Sequence, residues 1–363
     1  MNTKHLIYIF ITLILFGCTP DSNDFRLAKV AELVDVSPEN AMAALDSINY
    51  NQLSPSDQNY YDLLTIKALD KAYITHSSDS LILKVIDFES KHQANGRYPE
   101  SLYYGGRVYS DLGDYPTAIY YFQNALELLN NSDTQTLNLK RRVLSQTGRL
   151  LTSISLYEQA LPYIESAVEI NQHLQDTLAV VQDLQLLGGT YLRSANYKLA
   201  EKCFKESMLF SHSLPISYIA NSKMYLAEVK FKNGQLDSAL TLIRGTQQEV
   251  RPLVRNNALA YASNIYLHAE ILDSAYLFAH QLINSDYSLN KEIGYQVLLS
   301  QELRPYIPSD TLDKYISDYR ALLENYYDEN ETQLEINQYN AYNYQLHERE
   351  RIKAENSKND FQR

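Results

Sequence analysis

Leu102-Tyr103-Tyr104-Gly105-Gly106-Arg107-Val108-Tyr109, followed by Gly113-Asp114-Tyr115 and then by Ala118, Phe122 and Ala125, is the stretch that decides the fold. Gly106 and Tyr109 stand three residues apart, Ala118 and Phe122 four, and Ala118 and Ala125 seven. Those are the intervals at which side chains share one face of an α-helix. Small residues at Gly106 and Ala118 belong where two antiparallel helices touch, because only small side chains allow that approach. The rings of Tyr109, Tyr115 and Phe122 fill the space around the contact.

The pattern returns four times downstream. The second copy has Gly148, Leu151, Tyr157, Ala160, Ile164 and Ala167, and the third has Gly188, Tyr191, Tyr197, Ala200, Phe204 and Ser207. The fourth carries Ala227, Gly234, Leu236, Ala239 and Ile243; the fifth carries Ser263, Tyr266, Leu272, Ala275 and Ala279. The central alanines 118, 160, 200, 239 and 275 lie 42, 40, 39 and 36 residues apart.

Flanking segments read as further helices. Ser37 followed by Pro38 marks a helix start, with Pro38–Ile48 as the helix. Asp57–Tyr73 and Asp79–Gln93 form a degenerate pair, and Asn290–Tyr306 with Asp310–Asn325 closes the array. From Ser317 to Ser357, apolar and tyrosine positions recur at mixed three- and four-residue intervals before the charged run His347-Glu348-Arg349-Glu350-Arg351. This predicts a long C-terminal helix whose broken heptads do not support a strong coiled coil.

Composition agrees with an all-helical folded chain. Apolar residues are 45% and charged residues 21% of the 363, and glycine (11) and proline (10) are too scarce for many strands and turns. With 32 basic and 44 acidic residues the net charge is −12, which argues against non-specific nucleic-acid binding.

The first eighteen residues read as a targeting segment. Lys4 and His5 precede an apolar run, Leu6–Phe16, that is shorter than the roughly 20 residues needed to span a bilayer. Leu15-Phe16-Gly17-Cys18 resembles a bacterial lipobox, with Cys18 as the lipid attachment site; Phe16 is bulkier than is usual at its position. A plain secretory signal or an uncleaved anchor is the alternative. The expected organisation is a signal peptide over 1–18, a flexible tether over 19–29, a repeat solenoid over 30–316, a long helix over 317–357 and a disordered end over 358–363. Cys203, the other cysteine, falls at a buried position of the repeat and reads as a small hydrophobe.

The small and aromatic positions resemble the tetratricopeptide repeat, whose standard period of 34 is shorter than the spacings here. The resemblance covers roughly residues 30–325. Together with Cys18 it points to the tetratricopeptide-repeat lipoproteins of Gram-negative bacteria. It implies an α-solenoid of helix-turn-helix repeats in which the first helix of each pair lines a concave groove. Carried onto this sequence, that geometry nominates Tyr103, Arg107, Arg142, Arg149, Arg193 and Lys232 as groove residues. Their cations offer planar or point-charge donors to an extended peptide, or else pair with the abundant local Glu and Asp. The Lys and Asn set with which some chaperone-binding members clamp carboxylates is not reproduced.

Chemistry beyond binding finds no motif. The eight histidines are scattered with no zincin spacing, Gly105-Gly106 lies inside a helix, and there is no nucleophile elbow. The chain is read as a non-enzyme without cofactor or metal. The expected function is a lipid-anchored scaffold in the cell envelope, outer membrane favoured and facing periplasm or surface, that binds a protein or peptide and no nucleic acid. Two alternatives stand beside it. One is a glycan-binding nutrient-uptake lipoprotein, against which the absence of tryptophan weighs. The other is the sensor part of a truncated transmembrane transcriptional regulator, since some lipoproteins of this group continue from such a helix into a membrane span.

Overall fold

The repeat intervals translate directly into helices. A computed structural model of the chain describes residues 25–130, 133–210, 213–246, 250, 254–285 and 287–324, and further on 336, 339–340, 342–344 and 351. The structure divides into two units after Leu128. All regular structure among the described residues is helical, and no described helix is long and apolar enough to cross a membrane.

The first unit contains α1 (Phe25–Leu33), α2 (Pro38–Asp46), α3 (Pro55–Lys71), α4 (Ser80–Lys91), α5 (Tyr98–Asp111) and α6 (Tyr115–Leu128). Helix α1 begins inside the segment expected as tether over 19–29, which corrects that boundary. Leu27, Val30 and Val34 make an apolar face at three- and four-residue spacing, buried against Ala41 and Leu45 of α2. Residues 1–24, which include the signal segment and Cys18, lie outside the described residues.

The second unit contains α7 (Thr134–Ser153), α8 (Tyr157–His173), α9 (Thr177–Arg193), α10 (Tyr197–Phe210), α11 (Ile216–Lys232), α12 (Leu236–Ile243), α13 (Arg255–His268), α14 (Leu272–Ile283) and α15 (Ser288–Leu298). A last described helix, α16, covers 309–324. It runs through the expected boundary at 316/317: Tyr315 is buried, and Tyr319 and Leu322 pack on the same core. The helix expected over Asn290–Tyr306 stops at Leu298, and only a single 3-10 turn, Arg304–Tyr306, follows. Pro305 disfavours helical geometry at the residue before it. Most of the expected helix over 317–357 lies outside the described residues.

The repeat positions meet as their chemistry demands. A Cβ on Gly106 would lie 2.3 Å from the Phe122 ring, one on Gly148 2.3 Å from Ile164, and one on Gly188 2.7 Å from Phe204. In each case the partner stands sixteen residues on, in the second helix of the pair. Ala118, Ala160, Ala200, Ala239 and Ala275 are all fully buried. Cys203 is buried and free, and burial pushes its thiol up to about 12.

The pairs are closed by one repeated turn. Gly113, Ser155, Ala195, Gly234 and Glu270 all have φ between 57° and 79°. After each, the next amide donates to a carbonyl five residues back: Asp114 to Tyr109, Leu156 to Leu151, Asn196 to Tyr191, Gln235 to Lys230 and Ile271 to Tyr266, at 2.8–3.1 Å. This is the Schellman arrangement, which satisfies the last carbonyls of the first helix and reverses the chain. In the second unit each helix packs on its chain neighbours, and the first helices α7, α9, α11, α13 and α15 also touch in succession. They form one wall.

Candidate functional site

On the wall, residues at fixed offsets from the small packing residue share one face of each first helix. In α11 these are Tyr225, Glu228 and Lys232, placed two before, one after and five after Ala227. In α13 they are Tyr261, Asn264 and His268 around Ser263; in α9, Gly189 and Arg193 follow Gly188. Offsets of three and four put each set on one helix face. Gly189, Leu192 and Arg193 of α9, Tyr197 of α10, Tyr225, Glu228 and Lys232 of α11 and Tyr261 of α13 line a solvent-open cavity of about 210 Å³.

The walls of this cavity are held from behind. Phe204 of α10 is fully buried against Gly188 and stacks on the Tyr225 ring, with centroids 5.3 Å apart and planes 13° from parallel. Tyr261 meets Tyr225 edge to face at 6.3 Å. Glu228 is buried at 7% exposure and pairs with Lys232 at 3.5 Å. Burial pushes the Glu228 carboxyl above the usual carboxylate range, and the Lys232 ammonium opposes that shift. Burial likewise raises the Tyr261 phenol, with the Arg193 guanidinium pulling the other way.

Of the six residues nominated from sequence, the structure brings Arg193 and Lys232 together here. Tyr103 is corrected: it is 4% exposed, packed edge to face on Tyr104 at 4.9 Å and tilted on Phe122 at 5.8 Å, so its ring fills the core of the first unit. Arg107, in the same unit, donates from Nε to Asp70 at 2.6 Å. It is already neutralised. Arg142 and Arg149 lie on α7 and do not line the cavity; Arg149 acts electrostatically on Asp183. Sequence reading missed Tyr225, Tyr261 and Gly189. The signal was available in the tyrosines that stand two residues before the small residue in consecutive first helices.

A buried polar network lies on the same wall. Asp183 of α9 accepts from Ser145 Oγ at 2.9 and 2.8 Å and from Asn171 Nδ2 at 2.7 Å. Arg141 donates to Asn171 at 2.8 Å and pairs with Asp176. Burial pushes the Asp183 carboxyl up to about 6, outweighing Ser145 and the Arg149 and Arg141 cations that pull it down. The folded state therefore holds this proton more tightly than the unfolded chain does. The Asp183 contribution to stability declines as pH rises from the ordinary carboxylate range through about 6, and is level above that. A carboxyl-carbon NMR titration should place the Asp183 midpoint near 6, and Asp183→Asn should remove that declining limb; a midpoint at the ordinary aspartate value would refute the assignment.

No protein-family model and no curated protein matches this chain. Solved structures do. The apo form of RapI superposes with a TM-score of 0.65 at 13% identity, covering 91% of this chain and 98% of that one. The apo form of the quorum sensor NprR from B. thuringiensis gives 0.64 at 17%, covering 88% and 93%. NprR in complex with its cognate peptide NprX gives 0.52 at 18%, covering 89% and 93%. Identities this low speak to fold alone. With the repeated packing and turns described above, they make this chain an all-α, tetratricopeptide-like helical-repeat protein.

Proposed function

We propose that this chain is a scaffold that binds an extended peptide or protein segment along the first-helix wall of its second unit, and that it is held in a bacterial cell envelope by lipid on Cys18. The observation that carries the binding reading is the cavity on α9, α11 and α13, where a guanidinium and tyrosine rings from consecutive first helices face a common space. Aromatic side chains with arginine are what protein-binding surfaces concentrate at their energetic centres. Two similar folds support the choice of ligand: NprR was solved with its peptide NprX, and a Rap protein with competence and sporulation factor. The anchor rests on the Leu15-Phe16-Gly17-Cys18 motif and favours a Gram-negative outer membrane, with the repeats facing periplasm or surface. The role is recognition, for signalling or assembly, and not turnover.

Two experiments test the reading. Pull-down from envelope extracts with the full chain should return a protein or peptide that is lost with Arg193→Glu/Lys232→Glu, while Arg107→Glu, whose arginine is engaged by Asp70, serves as the comparison. Equal capture by the Arg193/Lys232 variant would remove the cavity from the binding surface. Labelled palmitate should enter the wild-type chain and not Cys18→Ser; label in both would remove the anchor.

A further inference from the structure

Resting on that peptide-binding reading, we infer that the cavity beside Arg193 takes a carboxylate of the bound chain, with Gly189 left bare to let it reach the guanidinium. Charge is the first argument. Arg193 and Lys232 bring two cations to the cavity and Glu228 one anion. Lys232 is engaged by Glu228 at 3.5 Å. Arg193 makes no hydrogen bond or ion pair among the described residues. Elsewhere the protein answers its more buried arginines itself, Arg107 with Asp70 and Arg97 with Glu89, whereas Arg193 is exposed to solvent at the cavity's edge. The cavity therefore keeps one positive charge for a visitor.

Geometry narrows the visitor's chemistry. A guanidinium presents a planar fork that matches a carboxylate with two parallel hydrogen bonds. The hydroxyls of Tyr225 and Tyr261 have no hydrogen-bond partner among the described residues and add neutral donors to the same space. One unanswered cation in a small, ring-walled cavity suits a monoanion. A doubly charged phosphate would bring more negative charge than the one unanswered guanidinium balances.

Gly189 supplies an independent argument. Glycine inside a helix is destabilising relative to alanine, because it gives up more backbone freedom on folding. At every other described helical glycine the structure gives a packing reason: a Cβ on Gly105, Gly106, Gly148, Gly188 or Gly294 would come within 2.3–2.9 Å of a neighbour. At Gly189 the only atom a Cβ would approach is Arg193 Nη1, at an ordinary 3.5 Å. The helix does not need glycine there. The space it opens lies against the guanidinium, which is where a ligand oxygen has to arrive.

The test uses random decapeptide libraries tethered at the N-terminus and offered to the full chain. Each is made with a free or an amidated C-terminus, and with or without Asp and Glu. Binding lost on amidation identifies a terminal carboxylate; binding that survives amidation and is lost without Asp and Glu identifies a side-chain carboxylate. Either supports the inference. Arg193→Gln should then weaken the selected peptide by about tenfold or more, with Arg193→Lys recovering only part. Gly189→Ala should raise the unfolding temperature while weakening binding severalfold, a pair of opposite signs that a merely structural glycine would not produce. Undiminished binding by the carboxylate-free library, or by both the Arg193→Gln and Gly189→Ala variants, overturns the inference and leaves the peptide-binding reading in place. No binding by any library overturns both.

Discussion

Phe204→Ala is expected to destabilise the second unit by about 3–5 kcal/mol, the cost of emptying a fully buried ring site that its surroundings cannot close. The ring sits where three helices meet: in α10 itself, against Gly188 of α9, and stacked on Tyr225 of α11. None of these can follow it inward. The Gly188 side is backbone, and Tyr225 is held by its own edge contact with Tyr261. For a unit of this size the loss corresponds to a fall in unfolding temperature on the order of 10 °C. Phe204→Leu keeps most of the volume and should cost less than about 1.5 kcal/mol. Calorimetry on both variants checks the pair. Because Phe204 props a wall of the cavity, Phe204→Ala should also weaken any ligand held there. A cost for Phe204→Ala no greater than for Phe204→Leu would mean that the wedge carries little of the packing.

The second large effect lies in the first unit. Glu89 is completely buried, and its Oε1 accepts from Arg97 Nε at 3.1 Å and from Asn59 Nδ2. Arg97 in turn reaches Ser56 Oγ and lies 4.6 Å over the Tyr60 ring. The Glu89 Oε2 and Asn59 Oδ1 atoms have no hydrogen-bond partner, so the carboxylate depends on Arg97 for its compensation. Arg97→Met removes the cation and keeps much of the stem, and should cost about 3–5 kcal/mol because an unpaired charge stays in the core. The double variant Glu89→Leu/Arg97→Met should recover most of that loss, since apolar groups of similar volume need no such compensation. Urea unfolding of the three chains decides it: if the double variant is no more stable than Arg97→Met, the loss reflects packing over Tyr60 and not the stranded carboxylate.

How far the fold could be read beforehand depends on which physical requirement each residue answered. Gly106, Gly148 and Gly188 announced helix contacts because no larger side chain fits opposite Phe122, Ile164 and Phe204. The turns were less legible. Gly113 and Gly234 carry the expected residue for a left-handed backbone, but Ser155, Ala195 and Glu270 adopt the same φ with side chains that give no warning. Repetition of the surrounding contacts holds them there. The division after Leu128 and the start of helix at Phe25 were not visible in the spacing of the alanines, which runs unbroken from 118 to 160.

The site was legible only in part. Counting along the repeat named Arg193 and Lys232, which line one cavity, and named Tyr103 too, whose ring is turned into the first unit's core.

By itself, then, the sequence determined that this is a chain of helix pairs and which small and aromatic positions join them. Periodicity and side-chain volume are local properties that survive in one dimension. Which cations are already answered and which is left over was decided by tertiary structure alone. Charge pairing depends on residues brought together from far apart in the chain, as Asp70 is to Arg107, and no interval along the sequence records that proximity.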